Sequence, residues 1–285
     1  MRGYIPNYQL VTPSSLAEAL SLLANEPREW KPFAGGTDLM VLLEAGKLGH
    51  RNYLNIWPLK ELRQIAVDKS HVTLGALSTY TDVQANEVLR TEFPMLCQAA
   101  SETGGLAIQN RGTLGGNIVN ASPAADSPPA LLAYDAQLEL ASNHGTRWVA
   151  YSGFHTAYKQ MAIRDDELLT RIRLPRTPGL THYYRKVGTR KAQAISKVCL
   201  AGVLRLRGAE IEDVRIALGS VAPIPLRCER TENALRGGNL DPMRVQTAVK
   251  ELAAEISPIN DIRSTKDYRL RVSQNLLVDF LTRAH

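Results

Sequence analysis

Cysteine is scarce. Cys97, Cys199 and Cys228 are the three in 285 residues, too few and too far apart for a disulfide framework or a C-x-x-C zinc site, and they read as buried, reduced thiols. No apolar run approaches the roughly eighteen residues of a membrane span. The opening stretch MRGYIPNYQLVTPSSLAEAL lacks the apolar core of a signal peptide, so the expected compartment is the cytoplasm. His50, His71, His144, His155, His182 and His285 are isolated, and no His, Cys and carboxylate group stands at metal-ligand spacing. The chain has no G-x-S-x-G elbow, Walker loop, G-x-G-x-x-G fingerprint or fixed repeat. The net charge is +6, yet lysine and arginine are dispersed. The densest basic stretch, Tyr183 to Lys197, is interleaved with apolar and small residues, which suits a solvated face or a docking surface for an acidic partner rather than nucleic acid.

What is present is the patterning of an ordinary globular chain, with 44% apolar residues to supply a core. Ser15 and Glu18 form an S-x-x-E capping box, and Leu16, Ala19, Leu20 and Leu23 recur at helical spacing, which predicts a helix to about Asn25. Trp30–Ala34 reads as a strand entering a glycine turn, Asp38–Glu44 as a short helix, and Tyr53–Ile56 and His71–Gly75 as strands. Helices follow at Thr81–Asn86 and Pro94–Thr103. Beyond the second glycine pair the reading is of strands: Ala136–Ala141, Arg147–Ala150 and Glu167–Leu174. From Thr181 a basic loop leads to antiparallel strands at Ala194–Arg207 and Ile211–Gly219, then to helices at Asp241–Glu255 and Ser264–Ala284. The fold class expected is α+β, with domains at 1–176 and 182–285 joined by a Pro- and Gly-containing linker.

Two glycine pairs are the chemical signal. In PFAGGTDLMV, Gly35 and Gly36 let backbone amides approach an anion with no Cβ in the way, and Thr37 adds a hydroxyl. The same glycines also suit a plain strand-to-helix turn. In NRGTLGGNIVNASPAAD the pattern recurs around Gly115 and Gly116, with Thr113, Asn117, Asn120 and Ser122 nearby. Asp126 follows, either to bind a sugar hydroxyl or to cap the turn before Pro128. Two such turns can clamp one diphosphate, so together they point to a dinucleotide. A third cluster, YYRKVGTRKAQAISKV, offers Lys186, Arg190 and Lys191; it reads as a solvated basic loop or as positive charge beside a redox cofactor.

These stretches, in this order and spacing, resemble the flavoprotein subunit of the molybdenum hydroxylases, the xanthine and carbon monoxide dehydrogenase medium-subunit family, over nearly the whole chain. The resemblance implies a two-subdomain FAD-binding fold of the vanillyl-alcohol-oxidase type followed by a C-terminal domain of sheet and helices. It implies non-covalent FAD held by Lys31, Pro32, Phe33, Ala34, Gly35, Gly36, Thr37, Asp38 and Leu39 and by Gly112, Thr113, Leu114, Gly115, Gly116, Asn117, Asn120 and Asp126. Leu169 is then expected beside the isoalloxazine, Lys186 against the flavin and Gly188–Lys197 as a mobile loop at its exposed side. Some members place an aromatic ring on the flavin after the helix that precedes the second loop. Ser101–Leu106 has none, so a stacking ring comes from Tyr183 or Tyr184 or is missing.

By the same resemblance, the partners are a large molybdopterin-binding subunit that hydroxylates substrate and a small [2Fe-2S] subunit that relays electrons to this flavin, with NAD+ or another acceptor such as oxygen or a quinone, in a dimer of heterotrimers. The substrate implied is xanthine or another purine, with nicotinate, aldehydes and carbon monoxide as alternatives. Two other functions compete: a stand-alone flavin oxidase or reductase of the same fold, which needs acid–base residues not evident here, and a colourless assembly module whose loops hold nothing.

Overall fold

The computed structural model describes residues 7–190 and 193–283. Lys191 of the basic cluster, Ala284 at the expected end of the last helix, His285 and the first residues to Pro6 lie outside them.

Three sheets carry the architecture. The first is parallel and three-stranded, with Asn52–Asn55 between Gln9–Val11 and Lys31–Phe33. The helix Leu16–Asn25 packs its buried face, Ala19, Leu20 and Leu23, into the small core beneath that sheet. Ser15 caps the helix by accepting from the Glu18 amide, but Glu18 does not close the box on Ser15. Its carboxylate accepts instead from the amide and hydroxyl of Ser14, at 2.7 and 2.6 Å.

The second sheet is antiparallel, in the order Ile65–Val67, His71–Gly75, Leu168–Pro175, Gln137–Ser142, Gly145–Ala150. Against it and around it lie the helices Tyr80–Ala85, Pro94–Glu102, Leu114–Val119 and Ser127–Ala133. Two of these correct the expectation of strands alone after the second glycine pair. Leu114–Val119 is a helix that begins on the pair, with Thr113 as its cap. In Ser127–Ala133 two prolines occupy the first turn, where their missing N–H groups cost nothing. Every residue of that helix is buried, so no amphipathic period marks it in the sequence.

The third sheet orders Thr181–Val187, Val198–Arg207, Glu210–Gly219 and Leu226–Arg227. Its central strand, VCLAGVLRLR, is a near-continuous apolar run because both faces are covered. Cys199, Ala201 and Val203 face the helices of the preceding region, while Val198, Leu200 and Leu204 face the C-terminal helices Pro242–Glu255 and Lys266–Thr282. The expected basic loop at Thr181 is in fact the edge strand, with Tyr183 and Tyr184 buried on opposite faces.

A network of ion pairs fastens the two regions. Arg227 donates to the Leu132 carbonyl at 2.7 Å and to Asp135 at 2.6 Å, and it pairs with the buried Glu232. Arg215 bridges Asp135 and Asp213 at 2.9 and 2.7 Å. Glu232 also accepts from the Ile216 amide at 2.7 Å. Glu232→Ala leaves the Arg227 guanidinium without its main counter-charge, a loss of about 3 kcal/mol. The variant is expected to melt roughly 6–12 °C below the wild type by scanning calorimetry; an unchanged midpoint would show that Asp135 alone holds Arg227.

Candidate functional site

The two glycine segments meet, although 76 residues separate Gly35 from Arg111. Lys31–Phe33 ends in a turn at which Gly36 adopts φ 77°, and Asp38 then opens the helix Leu39–Glu44. A Cβ on Gly36 would lie 2.6 Å from the Phe33 ring, and one on Gly35 would lie 1.7 Å from the Arg111 carbonyl. Gly35 is therefore required because the second segment presses against it. Arg111 returns a hydrogen bond to the Gly35 carbonyl at 3.4 Å, and its guanidinium stacks on Trp57, 3.7 Å from the ring centroid, opposite Arg63 at 3.9 Å. Asn120 donates to Asp38 at 3.1 Å and ties the far ends of the segments together.

The pairs differ in what their amides do. At the second, the Leu114 amide donates to Ser78 O at 2.9 Å, Gly115 to Ala76 O at 2.8 Å and Gly116 to the Thr113 hydroxyl at 3.1 Å. None is left for a ligand. Among the described residues, no hydrogen bond engages the amides of Gly35, Gly36, Thr37 or Asp38. Four successive donors without acceptors in a glycine turn make an anion-binding concavity. Of the two turns expected to clamp one diphosphate, the first leaves its amides open, whereas those of the second are engaged within the protein and the second segment packs against the first.

Asp126 does not cap the helix that follows it. Its Oδ2 accepts from Lys186 Nζ at 2.7 Å, with the two side chains 11% and 1% exposed. Lys186 also donates to the Glu102 carbonyl at 2.9 Å, and the Tyr184 hydroxyl donates to the Asp126 carbonyl at 3.1 Å. Asp126 Oδ1 is buried with no partner. Burial pushes the Asp126 carboxyl up to about 6, against the lowering pull of Lys186. A buried acceptor without a donor is a place for a ligand hydroxyl or N–H.

The remaining expected residues are placed as follows. Lys31 and Pro32 are exposed, and Ala34 and Leu39 are half-buried. Gly112 is buried against Tyr80, and Asn117 accepts from the Ser127 hydroxyl at 2.6 Å. Leu169 is buried in the central core beside a bulge in its strand, which packs on the helix Leu114–Val119. Neither tyrosine is a free stacking ring. Tyr183 packs on Phe280, 5.4 Å between centroids, with its hydroxyl on Asp279, and Tyr184 is held beneath Asp126. Arg111 was overlooked in the sequence although it directly precedes the second segment, as was Lys159, whose ammonium reaches Asn120.

Residues 6–177 match the family model described as the FAD binding domain in molybdopterin dehydrogenase, and residues 182–284 match the CO dehydrogenase flavoprotein C-terminal domain. The chain belongs to this FAD-binding family. Its cofactor is FAD, and the open amides and the orphaned Asp126 oxygen fit a ligand with a diphosphate and hydroxyl groups. The xanthine dehydrogenase FAD-binding subunit of Escherichia coli is 32% identical over 276 residues, covering 95% of this chain and 94% of that one. The glyceraldehyde dehydrogenase medium chain of Sulfolobus acidocaldarius is 33% identical over 94% of this chain and 95% of its own. Carbon monoxide dehydrogenase of Hydrogenophaga pseudoflava, solved without the Mo-pyranopterin moiety of its cofactor, superposes with a TM-score of 0.92 at 28% identity, covering 96% of each chain. Among the described residues, no helix of this flavoprotein is long and apolar enough to cross a membrane.

Gly35→Ala forces the two segments apart and is expected to lower both the melting temperature of the FAD-free protein and its flavin content. Gly116→Ala meets only the Thr113 hydroxyl, at 2.7 Å, and is expected to cost about 1 kcal/mol, the worth of a helix cap. Equal effects from the two would disprove the asymmetry. The raised Asp126 pKa means that the folded chain holds this proton more tightly than the unfolded one. Its stabilising contribution is complete below pH 3.8 and declines as pH rises to about 6. The urea stability of the wild type relative to Asp126→Asn, without FAD, should fall by about 3 kcal/mol across that window; a flat difference would mean that Asp126 titrates normally.

Proposed function

We propose that this chain is the FAD-binding electron-transfer subunit of a molybdenum hydroxylase of the xanthine dehydrogenase type. The observation that carries the reading is the run of unengaged amides from Gly35 to Asp38. Those amides and the Thr37 hydroxyl hold the FAD diphosphate, which the Lys31–Leu39 segment cradles. The second segment, Gly112 to Asn117, sets the position of the first. Asp126 binds a cofactor hydroxyl through its free oxygen, while Lys186 places positive charge beside the flavin and Leu169 lies under its ring. FAD, when bound non-covalently, supplies the redox chemistry. The chain itself binds the cofactor, orients it and holds a fixed cation near it, which favours an anionic reduced form.

The rest of the assembly is assigned with the same reading: a large molybdopterin subunit that hydroxylates a purine, a small subunit whose [2Fe-2S] clusters deliver electrons to this chain, and NAD+ as acceptor. Two copies of the heterotrimer associate in the cytoplasm, and the domains divide as 1–176 and 182–285. The full-length 32% identity to a xanthine dehydrogenase subunit supports the purine substrate. An aldehyde substrate is the second reading, favoured by the 33% identity to the glyceraldehyde dehydrogenase chain.

The visible spectrum of the purified chain tests the first step. A flavin spectrum whose chromophore is released as FAD by acid is expected. Co-expressed with molybdopterin and iron–sulfur subunits, the complex should form NADH from xanthine. A colourless chain that takes up no added FAD would overturn the reading, and a complex that turns over an aldehyde but no purine would replace the substrate.

A further inference from the structure

The short hairpin His155–Ala157 and Gln160–Met161 has no part in the site as read from the sequence, yet its turn touches the second segment directly and reaches the first through Asn120. Lys159 stands in that turn with φ 58°, in the left-handed region that a side chain rarely adopts unless its surroundings hold it there. Its ammonium donates to the carbonyl of Asn120, at the C-terminal end of the helix Leu114–Val119, and to Asn120 Oδ1 at 2.8 Å. With Oδ1 fixed as the acceptor, the amide nitrogen of Asn120 faces Asp38 and donates to it at 3.1 Å. Asp38 opens the helix after the first glycine pair but makes no capping bond there, so its carboxylate is free for this bridge. Burial draws the Lys159 pKa down, and the charge of Asp38 draws it back up, so the ammonium and the carboxylate sense each other across Asn120.

We propose that Lys159 is a positioning residue of the FAD site, setting the spacing of the two cofactor segments through Asn120 without itself touching the cofactor. The inference rests on the FAD reading above. A hairpin remote in sequence from both glycine pairs thereby becomes part of the binding machinery. The amide of Asn120 could point either way on its own; the cation decides its orientation, because an ammonium can only donate and selects the carbonyl oxygen. Without Lys159 that amide can rotate, and Asp38 loses its donor.

The test uses the full chain stripped of FAD, with Lys159→Met, Lys159→Arg, Asn120→Ala and the Lys159→Met/Asn120→Ala double variant. FAD affinity is read by quenching of flavin fluorescence and the stability of the FAD-free protein by calorimetry. Lys159→Met should weaken FAD binding about tenfold, the size expected for a lost charged hydrogen bond. The melting temperature without FAD should stay near that of the wild type, since the bridge organises a loop rather than a core. Lys159→Arg should recover most of the affinity, and the double variant should bind no worse than Lys159→Met, because both changes break one chain of contacts. Unchanged FAD affinity in Lys159→Met, a parallel loss of stability without FAD, or additive losses in the double variant would each overturn the proposal. A wild-type chain that binds no FAD would overturn the parent reading as well, and so is told apart from a failure of the bridge alone.

Discussion

One buried ion pair, Lys186 with Asp126, joins the third sheet to the loop after the second glycine pair. Taking two charges out of water costs more than their attraction returns unless further hydrogen bonds complete them, and here the set is incomplete. Lys186 is served by Asp126 and the Glu102 carbonyl, but one Asp126 oxygen has no donor. A fold selected for stability alone would fill that position with apolar side chains. Keeping a carboxylate poised near pH 6 in the interior makes sense if a ligand completes its hydrogen bonds. The pair also fixes geometry: it pins the edge strand Thr181–Val187 beside the helix Pro94–Glu102.

The two glycine pairs show how one sequence pattern serves two physical ends. The first pair precedes a short helix, and the second lies in the first turn of one. In the first, glycine is needed for a positive φ at Gly36 and for close backbone approach at Gly35, and the amides are left open. In the second, Gly115 fits where a Cβ would strike Ala76, 2.7 Å away, and the amides are spent on Ala76, Ser78 and Thr113. A satisfied helix end supports a turn whose donors stay free. Preorganisation of this kind puts the ordering cost into folding rather than into binding.

Where local chemistry decided the structure, the sequence was readable. Ser15, Thr79, Asp241 and Thr265 cap their helices through side-chain oxygens, and His71–Gly75 is bounded by turns, so these elements fall where propensity puts them. The failures share a cause. Ser127–Ala133 is buried all round and begins with two prolines, so neither period nor composition betrays a helix. Thr181–Val187 looked like a basic loop because Arg185 and Lys186 dominate its composition, although Lys186 is among the most buried side chains there. The glycine pairs and Asp126 stand out in the sequence by residue type alone. Arg111 and Lys159 do not, because an arginine on Trp57 and a lysine on Asn120 are tertiary contacts that any surface residue of that charge could make.

The distribution of titratable groups bears on how chemistry is shared between this chain and its cofactor. His155 is buried with Nε2 on the Ile118 carbonyl at 2.9 Å, and His182 lies against the Tyr134 hydroxyl at 3.2 Å. Burial lowers the pKa of both, and Arg215 lowers that of His182 further. Each imidazole is tied to a structural partner, His155 behind the helix Leu114–Val119 and His182 on the edge strand Thr181–Val187. The groups without partners are of another kind: the Gly35–Asp38 amides and one oxygen of Asp126, whose other oxygen holds Lys186. Groups of these kinds can bind and polarise a ligand, and in a chain whose cofactor is FAD the redox chemistry belongs to the flavin.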